Sequence, residues 1–399
     1  MYSFPINGWP LGIDNIQPDY AVEPGALRDA VNVDIFDSGK IRRRRGNVLR
    51  SALVGSHSLW SHPRLNKAYY VAGTTLYELS HTLTSAAVVT GLMAGAAVAY
   101  LYVNGEVFWS NGITGGRILS GVNSPWGIET PSSEPNLTAT TGGLPAGTYQ
   151  VVTTFRNLAG EESGAQNSQS ITLAATGGIS LTNMPVASSG AVTHRNIYMT
   201  LQNSDVLYRI LTLPVSTTST TIGTLPTPSS VLKTQDYAPM PPGTILAYRN
   251  GQIFVASGNY IYYSEPMRYG LYNPIQNFYI YPEPVTVMLA VPEGLHVCAD
   301  RSYFMENPGT NDVVQRETLP YGGIRGTGIY FPNGTDVAWF SPRGQVRATG
   351  GQVTPVTEKR HAPGMMSSGH AFIREQEGLK QVITVVQQNA TNPLIYTGA

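Results

Sequence analysis

Residues 244–274 constrain the fold most: T-I-L-A-Y-R-N-G-Q-I-F-V-A-S-G-N-Y-I-Y-Y-S-E-P-M-R-Y-G-L-Y-N-P. Two runs of β-branched and aromatic residues, 245–248 and 252–256, flank Arg249-Asn250-Gly251. Asn-Gly is a strong hairpin signal, because a type I′ turn needs φ > 0 at both central residues. Ser257-Gly258-Asn259 then leads into a third run, 260–264, before Glu265-Pro266. Proline has no N–H to give a ladder, so the sheet stops there. The stretch predicts a three-stranded meander with an irregular tail.

The same grammar recurs. Residues 68–79 read strand, Ala-Gly-Thr turn, strand. Residues 99–119 carry turns at Asn104-Gly105 and Asn111-Gly112, and residues 328–349 carry them at Asn333-Gly334 and Arg343-Gly344. Repeated hairpin units mark radial or stacked β architectures. The expected fold class is all-β, a β-propeller with roughly four to six degenerate blades. A generic β-sandwich is the competing reading.

Composition agrees with an all-β chain. The 399 residues include 42 Gly, 28 Pro and 23 Tyr, with only 13% charged. Turn formers and Tyr at the expense of Lys and Glu disfavour helices. The formal net charge is zero, which excludes a global polycation for nucleic acid but not a local patch. A neutral, low-charge surface also suits a protein buried in an assembly. Cys298 is the single cysteine, so neither a disulfide framework nor a cysteine metal site is expected. Between Val297 and Ala299 it reads as a small core hydrophobe. Met1 to Pro5 lack the basic and apolar regions of a secretory signal, and the apolar run 92–103 is too short to span a bilayer.

The second distinctive stretch is residues 12–50. Residues 24–30 predict one short helical turn with Pro near its start. Residues 31–36 predict a strand with Val31, Val33 and Ile35 on one face, followed by a hairpin turn at Asp37-Ser38-Gly39-Lys40. The return strand carries Arg42, Arg43, Arg44 and Arg45. Alternate side chains on a strand face opposite ways, so these arginines cannot form one flat basic patch. One reading pairs two of them with Asp34, Asp37 or a neighbouring subunit. The other is electrostatic contact with DNA or an acidic partner.

Three domains are expected: residues 1–130 and 237–399 as the two parts of the propeller, and 131–236 as an insert. The Pro- and Ser-rich stretch 125–135 and residues 236–242 read as its linkers. The insert is Thr-, Ser- and Ala-rich, with strands expected at 147–156, 168–173 and 196–201, and resembles a fibronectin type III or Ig-like β-sandwich. Closely spaced termini would let it sit inside another domain. Pairing between the strand near Val31 or Ile41 and a strand at 381–387 is expected to close the propeller and remove exposed edges.

The sequence lacks G-x-S-x-G, a P-loop, H-E-x-x-H and C-x-x-C, the patterns that would place a nucleophile, a phosphate cradle or a metal. The seven histidines are scattered, and the close pair His57 and His62 has no third ligand nearby, so it reads as structural. Gly322-Gly323-x-x-Gly326-x-Gly328 is not followed by a helical pattern, unlike a dinucleotide fingerprint. Glu161-Glu162 reads as two solvated turn carboxylates. Trp60, Trp109 and Trp126 can stack on sugars or fill spaces between sheets. No catalytic residue, cofactor or metal is expected, and the chain is read as a non-enzyme.

Several segments together carry a family resemblance. They are Gly12-Ile13-Asp14-Asn15, Leu27-Arg28-Asp29-Ala30-Val31-Asn32-Val33-Asp34, Gly39-Lys40 and Arg43-Arg44-Arg45-Gly46 at the start of the chain. Residues 250–255, 263–266 and 268–272 join them, as do Trp339-Phe340-Ser341-Pro342-Arg343-Gly344 and Arg374-Glu375-Gln376-Glu377-Gly378. The pattern resembles tailed-bacteriophage virion proteins, in layout the β-propeller tail nozzle or hub proteins of short-tailed phages. It departs at Arg-Arg-Arg-Gly, where Arg-Arg-Pro-Gly belongs to the pattern. The resemblance implies a viral tail protein made in the host cytoplasm and located in the virion. Copies would form a homo-oligomeric ring, hypothetically a hexamer, that extends the DNA-ejection channel from the portal or adaptor and docks fibres or spikes. Genomic DNA would pass transiently, with no membrane insertion by this chain. Arg42 to Arg45 would then lie at subunit contacts rather than on the lumen, where they would retard phosphates. The alternative function is a tail-tip receptor- or carbohydrate-binding propeller.

Overall fold

A computed structural model describes residues 8–36, 38–44, 46, 55–225, 227–360, 366–376 and 379–388. Among the described residues the secondary structure is β throughout, apart from one 3-10 turn at Asp19–Ala21. No helix among them is long and apolar enough to cross a membrane. The chain divides into two compact units, Gly55–Tyr279 and the combination of Met1–Val54 with Ile280–Ala399.

In the first unit, three antiparallel sheets have four strands each, lying in chain order. The first contains Ser56–Ser61, Lys67–Ala72, Thr75–Ser80 and Ser85–Val89. The second contains Ala99–Val103, Glu106–Ser110, Gly115–Leu119 and Val122–Pro125. The third contains Ile245–Arg249, Gln252–Ser257, Tyr260–Tyr263 and Phe278–Ile280. Asn250 and Gly251 have φ of 48° and 78°, between the paired residues Arg249 and Gln252. Both are left-handed, as a type I′ hairpin demands. Asn104 and Gly105 repeat the arrangement, with φ of 50° and 90°.

Successive sheets bury their inner faces against each other. Tyr69, Val71 and Leu76 of the first sheet share a core with Tyr100, Val107, Trp109 and Ile118 of the second. Val103 and Phe108, on the opposite face of that second sheet, pack with Leu246, Ile253 and Val255 of the third. A strand that is apolar on both faces must be covered on both sides, which explains why 106–110 reads Glu-Val-Phe-Trp-Ser.

Between the second and third sheets in sequence lies a seven-stranded module. One of its sheets pairs Asn136–Leu144, Gly177–Thr182 and Thr220–Ile222. The other runs Gln169–Leu173, Gly147–Asn157, Val192–Thr200 and Leu207–Pro214. A core drawn from both sheets joins them, with Leu144, Ile179, Leu181 and Ile222 meeting Tyr149, Val151, Ile197 and Met199.

The second unit holds two more sheets with their strands in chain order. They are Val287–Val291, Gly294–Cys298, Ser302–Glu306 and Val314–Leu319, and Ile329–Tyr330, Asp336–Ser341, Gly344–Thr349 and Gln352–Pro355. Val287, Leu289, Cys298 and Phe304 of the former pack on Val337, Trp339 and Val346 of the latter. Cys298 is free and fully buried.

The same unit carries two separate two-stranded pairs, Val33–Ile35 with Ile41–Arg43, and Met366–Gln376 with Leu379–Gln388. The ladder expected between the N-terminal strands and 381–387 is not formed among the described residues. The tie between these pairs is made by side chains instead.

Two local expectations are corrected. Residues 24–30 form no helical turn. Gly25 has φ of 97°, outside the helical region, and Ala26–Leu27 pairs in parallel with Gly12–Ile13. Val31 is not in the strand, because Asn32 has φ of 55° and breaks the extended run, leaving Val31 exposed at 77%. The turn expected at Asn333-Gly334 is formed, closed by the Gly334 N–H donating to the Phe331 carbonyl at 3.0 Å, and the Asn333 side-chain oxygen accepts from the Thr335 and Asp336 N–H groups at 3.3 and 3.1 Å, an Asx geometry.

Candidate functional site

The arginine-rich strand acquires its partners from elements on both sides. Cα register pairs Asp34 with Arg42 and Val33 with Arg43, so Arg42 and Asp34 lie on one face and Arg43 on the other. The Asp34 side chain is 2% exposed, with Arg374 Nη2 at 2.8 Å and Arg44 Nε at 3.2 Å from its Oδ1. Burial pushes this carboxyl up, but the hydrogen bonds and charges of Arg374 and Arg44 outweigh it and hold it below its ordinary value. The Arg42 guanidinium lies 5.1 Å from the centroid of the Phe36 ring, a cation–π distance. Arg43 is exposed. Asp37 and Arg45 lie outside the described residues.

Of the expected partners, Asp34 therefore receives Arg44 from its own hairpin. Its second partner, Arg374, is 340 residues away in sequence, and no local signal could have named it. Arg360 makes a comparable tie, donating to the Leu11 carbonyl at 3.1 Å, while its own carbonyl accepts from Asn15 N–H at 3.0 Å.

The tryptophans fill spaces between sheets. Trp60 stacks on Tyr100 with centroids 5.4 Å apart. Trp109 is buried and donates to Asn123 Oδ1 at 2.8 Å, and Trp126 donates to the Tyr269 carbonyl at 2.8 Å. His62 stacks on Tyr102 at 4.6 Å, and His57 Nδ1 lies 2.9 Å from the Ser58 hydroxyl. No cluster of three or more metal-ligating side chains occurs among the described residues. The Gly322-Gly323 pair serves packing: a Cβ on Gly322 would stand 2.1 Å from the Ala299 carbonyl oxygen, and one on Gly323 2.9 Å from the Trp339 ring.

Glu161 and Glu162 are not merely solvated. Glu161 receives a two-pronged contact from Arg117, with Nη1 to Oε1 at 2.8 Å and Nη2 to Oε2 at 2.5 Å, and a third bond from Asn157 Nδ2 at 2.6 Å. Glu162 Oε1 accepts from Asn196 Nδ2 and Tyr198 OH, each at 2.8 Å, and from the Thr154 hydroxyl. Burial first, and then the Glu162 charge, push the Tyr198 phenol above its ordinary value. The two carboxylates point into different networks because neighbouring residues leave the chain in opposite directions.

These residues border a cavity of about 370 Å³ inside the Gly55–Tyr279 unit. The seven-stranded module supplies Glu161, Glu162, Tyr198 and the 230–234 segment, and the meander sheets supply Arg117, Trp126 and residues 267–271. Sequence reasoning missed it, since it draws on segments more than a hundred residues apart.

No family model matches the sequence, and no curated protein does. Among solved structures, BBS1N in complex with ARL6DN is similar at 9% identity and a TM-score of 0.33, covering 84% of this chain and 90% of that one. The β-propeller domain of Cps50 (Swd1) from Myceliophteria thermophila gives 8% identity and a TM-score of 0.32, over 77% and 88% of the two chains. Streptogramin B lyase gives 11% and 0.31, over 77% and 84%. Likeness at that level carries no activity, ligand or partner to this chain.

Proposed function

We propose that this chain is a structural tail component of a tailed bacteriophage, a nozzle or hub protein whose copies assemble around the path of the ejected genome. The five meander sheets act as propeller blades in this reading, and the seven-stranded module is an inserted fibronectin type III-like sandwich that serves for docking fibres or spikes. A tyrosine-corner contact supports the sandwich reading: Tyr149 OH donates to the Pro145 carbonyl at 2.9 Å.

The observation that carries assembly is the C-terminal ribbon, Met366–Gln376 paired with Leu379–Gln388. No third strand joins it among the described residues, although the Gly369 N–H donates to the Arg325 carbonyl at 2.8 Å. A lone two-stranded ribbon is marginal in water, and open edges are templates for another chain. The ribbon face that carries Arg374 also presents Phe372 at 51% exposure and Val385 at 63%. They share that face because Phe372 pairs with Ile383 and His370 with Val385. Apolar side chains on an open ribbon fit a surface that is covered in an assembly. The arginines of the N-terminal hairpin support the same reading. Arg44 is paired with Asp34, which offsets one of these positive charges against passing phosphates.

Light scattering and negative-stain microscopy of the full chain, alone and with candidate portal or adaptor proteins, test the proposal. Open rings, formed alone or on adding the adaptor, are the expected result. A lasting monomer or trimer that binds host surface glycan would overturn it in favour of receptor recognition.

A further inference from the structure

We infer that the cavity between the seven-stranded module and the meander sheets of the Gly55–Tyr279 unit binds a monosaccharide-sized organic acid, with an acidic sugar as the fitting class. Its volume of about 370 Å³ lies at the lower end of small-molecule sites, which span about 300–1,000 Å³. That holds one pyranose ring and excludes a peptide of several residues.

The wall carries three cations, Arg117, Lys233 and Arg268, and two carboxylates, Glu161 and Glu162. The carboxylates are already engaged: Glu161 is gripped by Arg117 and Asn157, and Glu162 Oε1 is filled by Asn196, Tyr198 and Thr154. Lys233 and Arg268 are exposed and make no ion pair among the described residues. The uncommitted charge facing the space is therefore positive, and it selects an anion.

Two further features distinguish among anions. A phosphate site draws on a forked arginine or a cradle of backbone N–H groups, and Arg117 is already forked onto Glu161. A carboxylate asks less and can be met by one ammonium and one guanidinium. The rest of the wall is mixed. Val231, Met267 and Tyr269 offer apolar surface, while Ser230 offers a hydroxyl. One apolar face, several hydroxyls and a single carboxylate are the chemistry of a sugar acid.

Isothermal titration of the full chain with glucuronic acid, glucose and glucose 6-phosphate tests the inference. Glucuronic acid should bind with a Kd of about 1 mM or tighter, glucose about tenfold more weakly or not at all, and glucose 6-phosphate no better than glucuronic acid. The double variant Lys233→Ala/Arg268→Ala should lose about tenfold in affinity with an unchanged melting curve. Val231→Trp, which fills the space from its exposed rim, should abolish binding. Equal binding of glucose, tighter binding of the phosphate, no heat with glucuronic acid up to about 20 mM, or full affinity in the double variant would each overturn it. The titration reads a single chain, so its outcome is independent of whether copies form a ring.

Discussion

At the residue scale, Asp34 shows how a short sequence motif acquires its role. A buried carboxylate is tolerable only when paired and hydrogen-bonded, and Arg374 and Arg44 supply both. Replacing it by Asn should destabilise the unit that joins the N- and C-terminal segments by about 2–3 kcal/mol, measured by denaturant unfolding. Arg374→Gln should give a similar loss, whereas Arg43→Gln, at an exposed position, should change stability by less than about 0.5 kcal/mol. The pH dependence follows from the lowered carboxyl value. Stability from Asp34 is present above the unfolded-chain value of 3.8 and is lost as pH falls through the lower folded value. The acid transition of Asp34→Asn should therefore be shallower than that of the wild type.

At the element scale, the seven-stranded module contains a carboxyl with the opposite behaviour. Glu134 Oε2 accepts from the Thr153 N–H at 3.0 Å and hydroxyl at 3.2 Å, yet burial outweighs these bonds and the Arg195 charge and pushes the group from 4.5 up to about 7. Between those values the folded protein holds a proton that the unfolded chain has released, so stability falls as pH rises. The melting temperature of the wild type should drop between about pH 5 and about pH 8, and Glu134→Gln should flatten that slope. The sheets of the other unit meet around Trp339, which is 1% exposed. Trp339→Ala should cost about 3–5 kcal/mol, read in the same unfolding assay. A Trp339→Phe variant should recover most of it, because what is lost is chiefly packed volume.

At the scale of the whole molecule, the exposed apolar pair Phe372 and Val385 on the C-terminal ribbon is where assembly is to be tested. Phe372→Asp with Val385→Asp should prevent higher-mass species in light scattering while leaving the melting curve of the chain unchanged. Association that survives the double change would mean that copies meet elsewhere. Sequence by itself determined the local β grammar. Asn250-Gly251 and Asn104-Gly105 take left-handed turns, and period-two apolar runs then choose which face is buried, so five strand runs at 245–263 and 99–110 were legible. The strands expected at 147–156, 168–173 and 196–201 were legible for the same reason, within a few residues at their ends. What sequence could not determine was everything made by long-range contact. Gly25 and Asn32 took left-handed conformations that replaced an expected helical turn and shortened an expected strand, a region open to these residue types but not dictated by them. Arg374 reached Asp34, Arg117 reached Glu161, and segments from 117 to 271 closed round one cavity. Such pairings depend on which sheets stack on which, and a hydrogen bond or an ion pair leaves no mark on the sequence near either partner. Only the tertiary structure decided them.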